Sequence, residues 1–303
     1  MAQSLSEKVV IAVSSRALYN LDDSNKVFEE QGIEKFREYQ IAHEDELLEP
    51  GVAFPLIKKL LNIKYPKTEQ NAFEVILISK NDANTGLRVF NSIEKHKLNI
   101  TRAAFTNGKP PYQYLSAFNV ALFLSAKDDD VRLALENSYA AATILDGVKF
   151  TEDESNEVRI AFDGDAVLFS DEAERIFQTS GLEEFTKNEV EKSDIPLSPG
   201  PFKSFLEAIT KIQHAFKDCE IKPLRTALVT ARSAPAHKRA IKTLRNWGVG
   251  VDEAFFLGGL DKVPILKQFK PHIYFDDQEG YCMPAANVIP TGHVPIGVKN
   301  IKK

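Results

Sequence analysis

The sequence predicts an α/β protein made of two tandem halves, each a parallel sheet with helices between its strands, related by internal duplication. Three observations carry this expectation. A chain of 303 residues suits two domains of about 150 residues. Short apolar runs alternate with amphipathic stretches, the pattern of strands joined by right-handed helical crossovers. The chain also repeats itself. Ile11 to Asp23 lies on Ile160 to Glu172 at an offset of 149 residues, and the same register carries Gly32 onto Gly181, Phe36 onto Phe185 and Pro50-Gly51 onto Pro199-Gly200 without a gap. Beyond it the offset becomes 151, with Ile76–Ser79 on Ala227–Thr230, Arg88 on Arg239, Gly108 on Gly259 and Val120–Ala126 on Pro271–Asp277.

The halves are expected to divide as residues 1–150 and 151–303, joined by the acidic, polar stretch 147–157. In the second half, Val158–Phe162, Arg225–Val229, Ala254–Leu257 and Ile273–Phe275 read as short buried strands. Pro201–Gln213 carries Phe202, Phe205, Leu206, Ile209 and Ile212 at helical spacing, with proline suited to the first turn. Ala234–Trp247 reads as a helix ended by Gly248. Glu172 to Ser198 reads as a small helical cap.

Composition narrows the function classes. A hydrophobic content of 43% with 27% charged residues is that of a globular protein, and a net charge of −5 disfavours a polynucleotide surface. Cys219 and Cys282 sit in neither a CxxC nor a histidine cluster, so neither a disulfide framework nor a structural zinc site is expected. The polar N-terminus and the short run Val9–Val13 resemble neither a signal peptide nor a membrane span. The expected location is the cytoplasm, with no membrane partner.

Reactive groups in parallel sheets collect beyond the carboxyl ends of the strands. There the second half carries Asp163-Gly-Asp165, Thr230-Ala231-Arg232, Lys262 within Gly258-Gly-Leu-Asp-Lys262, and Asp276-Asp277. The ordered set resembles the four motifs of the haloacid dehalogenase phosphatases, which implies Rossmann-like halves with a cap on the catalytic one. The implied chemistry explains the residue types, since a phosphate monoester repels anionic nucleophiles until a cation neutralises it, and magnesium accepts carboxylate and carbonyl oxygens for that task. The resemblance makes Asp163 the nucleophile that forms an aspartyl-phosphate and a metal ligand. Asp165 would bind metal through its carbonyl and serve as general acid and base through its carboxyl group. Asp277 is the first choice for the remaining direct ligand to Mg2+, with Asp276 sharing that role or holding a metal-bound water. Thr230, the amides of Ala231 and Arg232, and Lys262 would hold the transferring phosphoryl oxygens.

Further likeness narrows the substrate. Ala161–Glu172, Ser14–Tyr19, Thr230–Arg239 and Phe275–Gln278 resemble segments of the cytosolic 5′-nucleotidase I family, which implies hydrolysis of nucleoside 5′-monophosphates such as AMP or deoxynucleotides. In the first half Ser14 and Arg16 stand for Asp163 and Asp165, Pro111 for Lys262, and Ser125-Ala126 for Asp276-Asp277, so that half is degenerate. It is read either as a structural partner or as the seat of a nucleoside or effector nucleotide. Arg232 and His237-Lys-Arg239 are read either as phosphate or base contacts or as a solvated basic face, and Phe169 as a core residue or a base-stacking one. A phosphatase for a sugar phosphate or other metabolite and a non-enzymatic nucleotide sensor are the competing functions, and self-association is left open.

Overall fold

The computed structural model describes residues 8–148 and 155–300. The expected junction at 147–157 and the N-terminal segment therefore fall partly outside the described residues. In chain order the first half runs β1 (Val9–Val13), α1 (Ser15–Leu18), α2 (Asp22–Ala42), α3 (Phe54–Leu61), β2 (Phe73–Ser79), α4 (Leu87–Lys95), β3 (Arg102–Phe105), β4 (Val120–Ser125), α5 (Asp128–Glu136) and β5 (Ala141–Ile144). The second runs β6 (Val158–Phe162), α6 (Glu172–Glu191), α7 (Lys203–Ala215), β7 (Leu224–Thr230), α8 (His237–Asn246), β8 (Glu253–Phe256), α9 (Val263–Phe269), β9 (Ile273–Asp276), α10 (Glu279–Ala286) and β10 (Thr291–His293).

Among the described residues, all ten strands join one sheet in the order β3-β2-β1-β4-β5-β10-β9-β6-β7-β8. Read outward from the middle, the two halves have the same strand order. Every neighbouring pair is parallel except β5–β10, which meet antiparallel through Gly292 opposite Ile144 and His293 opposite Thr143. The carboxyl ends of the strands in one half therefore lie at the sheet edge opposite to those of the other. β1, β2 and β5 are buried along their whole length, as expected of strands covered on both faces. α7 packs on β4 and α3 on β6, so each half lends a helix to the other, and one apolar core runs through both. Among the described residues, no helix is long and apolar enough to cross a membrane.

The gapless register between the halves fails by one residue beside the first strand. Tyr19 N–H donates to the Ser15 carbonyl across four residues, whereas Phe169 N–H donates to the Gly164 carbonyl across five. The wider turn at Gly164–Leu168 holds Ala166 at φ 61°, and from there Leu168 rather than Val167 occupies the place of Leu18. The offset returns to 149 by Gly181, because Gly32 (φ 83°) and Gly181 (φ 80°) break α2 and α6 at corresponding points. That left-handed backbone suits glycine and splits each long helix into two pieces.

Gly200 N–H donates to the Leu168 carbonyl at 2.9 Å and locks the wide turn from below. A Cβ there would collide with the carbonyl oxygens of Val167 and Phe169, which belong to backbone and cannot rotate away. Gly200→Ala is expected to cost about 1–3 kcal/mol of stability, read as a lower urea midpoint with an unchanged denaturant slope. An unchanged midpoint would show that the turn relaxes freely.

Candidate functional site

The site stands where β6, β7 and β9 end. β6 delivers Asp163, whose N–H donates to the Phe275 carbonyl on β9 at 2.8 Å and so is fixed as an extension of the sheet. β9 ends in Asp276 and is followed by Asp277. Carboxylate oxygens of Asp163, Asp276 and Asp277 lie within 4.8 Å of one another, and all three residues are buried. Lys262 donates to Asp163 Oδ1 at 2.8 Å and to Asp276 Oδ2 at 2.7 Å. Its loop is tied to the end of β7, since Gly258 N–H donates to the Arg232 carbonyl and Gly259 N–H to the Ala231 carbonyl. All four sequence-expected clusters thus meet at one sheet edge.

The two neighbouring aspartates differ sharply in surroundings. Asp276 accepts from Lys262 and the Tyr274 hydroxyl at Oδ2 and from the Gln278 N–H at Oδ1. Asp277 Oδ1 is buried and has no hydrogen-bond partner, a costly state for a carboxyl oxygen. The backbone of Asp277 is nevertheless fixed, its carbonyl accepting from His293 Nε2 at 3.0 Å and Asn300 Nδ2 at 2.7 Å. Burial pushes the Asp163 carboxyl up to about 7, Lys262 opposing it and Asp276 adding to it. Burial, with the charges of Asp163 and Asp276, pushes Asp277 up to about 10. Burial would lower the Lys262 ammonium, but Asp163 and Asp276 outweigh it and hold the amine well above its ordinary value. One ammonium facing three carboxylates leaves the pocket short of positive charge. The orphaned Asp277 Oδ1 and an all-oxygen donor set fit a hard divalent cation such as Mg2+.

Asp165 lies in the same turn but faces a different partner. Arg232 grips its carboxylate with two hydrogen bonds, Nε to Oδ2 at 2.8 Å and Nη2 to Oδ1 at 2.7 Å. The third donor of Arg232, Nη1, reaches Glu189 on the capping helix α6. Burial would lower the guanidinium, yet Asp165 and Glu189 raise it. Arg232 is only 3% exposed, and these contacts turn its side chain toward Asp165 instead of solvent. Thr230 Oγ1 accepts from the Arg232 N–H at 3.2 Å, so it holds the loop as well as facing the site.

Several residues gain roles that sequence patterns hid. Arg239 is neither a solvated surface residue nor a free phosphate contact. It is buried and donates to Glu189 Oε1 at 2.8 Å, Glu172 Oε1 at 2.8 Å and the Ile195 carbonyl at 2.9 Å. Glu189, with its side chain wholly out of solvent, therefore joins two arginines and clamps α6 over the site. Phe169 is fully buried 5.6 Å from the Trp247 ring and belongs to the core. The first-half register signals this clamp, for Gln40 and Arg88 occupy the matching places and hydrogen-bond at 3.3 Å. Cys219 and Cys282 are both free thiols.

The chain is similar to human cytosolic 5′-nucleotidase 1B, with 42% identity over 279 residues, covering 89% of this chain and 46% of that protein. The chain thus spans about half the length of that curated relative. No solved structure matches. The family model described as 5′-nucleotidase matches residues 1–301, and with that span the chain belongs to the 5′-nucleotidase family.

Proposed function

We propose that the protein is a magnesium-dependent 5′-nucleotidase that converts nucleoside 5′-monophosphates, AMP-like or deoxynucleotide, to nucleoside and phosphate through an aspartyl-phosphate on Asp163. The observation that carries this reading is the buried carboxylate cluster with its partnerless Asp277 Oδ1, set beside Lys262 at the ends of β6 and β9. Family membership supports the reaction, and the human relative's name supports the class of substrate. In this reading residues 151–303 form the catalytic half and residues 1–150 a half of the same strand order without its carboxylates. We place the reaction in the cytoplasm, following the relative's cytosolic designation.

The Asp163 carboxylate attacks phosphorus as the bond to the 5′-oxygen breaks, and Asp165 gives that oxygen a proton. Water then attacks the acyl phosphate, Asp165 takes its proton, and phosphate leaves with Asp163 restored. Lys262 draws Asp163 into line and offsets the negative charge that gathers there. Arg232 sets the direction of Asp165, and one of its two bonds opens when Asp165 carries a proton. Thr230 and the amides of Ala231 and Arg232 donate to phosphoryl oxygens. Mg2+ would be held by Asp163, Asp277 and the Asp165 carbonyl, and when bound it would neutralise phosphate charge. Asp276, already occupied by Lys262, Tyr274 and Gln278, serves to hold Lys262 and would take part in holding the ion only through an intervening water.

The test is phosphate release from nucleoside 5′-monophosphates and sugar phosphates, with magnesium and with EDTA. Release from nucleotides is expected to fall more than about a hundredfold in EDTA, the loss of the charge-neutralising ion. Activity confined to sugar phosphates would overturn the substrate, and undiminished activity in EDTA would overturn the metal.

A further inference from the structure

The first half contains a cavity of about 430 Å3 at the ends of β1, β2 and β4, the place that the catalytic groups occupy in the second half. The cavity exists because bulky side chains there give way to small ones. Ser14 stands for Asp163, Asn81 for Arg232, Pro111 for Lys262 and Ser125 for Asp276, and all four line it. Its volume lies within the roughly 300–1,000 Å3 of small-molecule sites.

Its chemistry is the reverse of the catalytic pocket. Where three carboxylates crowd the ends of β6 and β9, the corresponding positions are two serines and an alanine. Arg16 replaces Asp165 and donates to Asn25 Oδ1 at 3.0 Å and Asp22 Oδ1 at 3.5 Å, and Lys127 follows β4 directly. Two acids also line the cavity, each beside a cation: Asp130 Oδ1, which accepts no hydrogen bond, lies 2.6 Å from Lys80 Nζ, and Asp82 accepts from Arg37 Nε at 2.8 Å. Asn81 Nδ2 is a buried donor without a partner, which calls for an acceptor oxygen. Lys127 makes no ion pair among the described residues. Hydroxyls, an amide donor and cations can hold a phosphate directly, with no metal between them.

The opposite wall is apolar. Phe28, Ile33 and Phe36 of the kinked α2 face the cavity, Phe28 and Phe36 edge-on with centroids 5.9 Å apart. Phe28 is 46% and Ile33 47% exposed, so a planar base laid against them would cover surface now open to water. In the second half the matching Phe177 and Phe185 form the same edge-on pair with centroids 6.2 Å apart, but there the Arg232 guanidinium lies 5.8 Å from the Phe185 ring, whereas Asn81 stands at that place in the first half.

We infer that this cavity is a second, non-hydrolytic site that binds a nucleoside monophosphate without metal, its phosphate toward Asn81 and Lys127 and its base against Phe28 and Phe36. The choice of a nucleotide rests on the substrate class proposed above. The antiparallel β5–β10 seam places this cavity at the sheet edge opposite to the carboxylate cluster. Its occupant is therefore a separate molecule and not the far end of the substrate.

Titration calorimetry of the full chain with adenosine 5′-monophosphate in EDTA tests the inference. One site per chain is expected, weakened at least tenfold by Lys127→Glu, at an exposed position, and by Asn81→Leu, and unchanged by Asp277→Asn. Adenosine alone and inorganic phosphate alone are each expected to bind more weakly than the nucleotide. Absence of binding in EDTA, binding indifferent to both first-half substitutions, or binding lost with Asp277→Asn would overturn it. Magnesium-dependent phosphate release, assayed on the same preparations, separates the two readings. Binding in EDTA without hydrolysis would remove the proposed activity and keep this site, and hydrolysis without such binding would do the reverse.

Discussion

Asp163→Asn is expected to lower phosphate release by more than about a thousandfold while the protein stays folded. The amide keeps the shape of the carboxylate but has neither the charge to attack phosphorus nor the anionic oxygen to bind a cation. Stability should not suffer, because the native carboxyl is uncomfortable where it stands. Burial raises its protonation point to about 7, so a neutral group at that place removes a desolvation cost. Lys262 retains Asp276 at 2.7 Å as a partner. The expected pair of results is lost turnover with a melting temperature equal to or above that of the wild type. Turnover within tenfold of the wild type would remove Asp163 from the role of nucleophile, whatever the fate of the fold.

Glu189→Ala is expected to be the most destabilising single change in the second half. The side chain is wholly buried between Arg232 and Arg239, and its removal leaves two buried guanidinium groups short of an acceptor. Loss of one partner from a buried ion pair costs about 3–5 kcal/mol, a large share of the stability of an ordinary domain. Activity should fall as well, because Arg232 then loses the support that aims it at Asp165. Glu189→Gln keeps one acceptor and should cost less, as the arrangement of Gln40 and Arg88 in the first half illustrates. Urea unfolding of the two variants decides the matter. A loss below about 1 kcal/mol for Glu189→Ala would show that water or another group takes its place.

The sequence-expected strands of the second half were legible within a residue or two because strands covered on both faces are short continuous apolar runs, as Val158–Phe162 is. The motifs were legible because order along the chain, with a strand before each, restricts where reactive groups gather. β10 was not, since Thr291-Gly-His293 has neither alternation nor an apolar run, and only the seam with β5 makes it a strand. The extra residue at Ala166 was hidden because it is compensated before Gly181, which restores the offset and masks a local change of turn width. Glu189 was hidden for a different reason. A glutamate in a charged helix reads as solvated, and its burial follows only from two arginines brought from β7 and α8. The unlike surroundings of Asp276 and Asp277 depend on Tyr274, Lys262 and the Gln278 amide, which no spacing rule could assign to one neighbour over the other.

The seam between β5 and β10 also bears on why a half without the matching carboxylate cluster is retained at all. Open strand edges invite pairing with other chains, and β10 would be such an edge if β5 were absent. The first half acts as a seal. Sealing asks for backbone groups at Thr143 and Ile144 and for apolar faces that pack, and it asks nothing of the residues at the tips of β1 and β4. Those tips are thereby released from acid chemistry at no cost to aggregation resistance, and are free to carry serines and an alanine where the partner half carries acids.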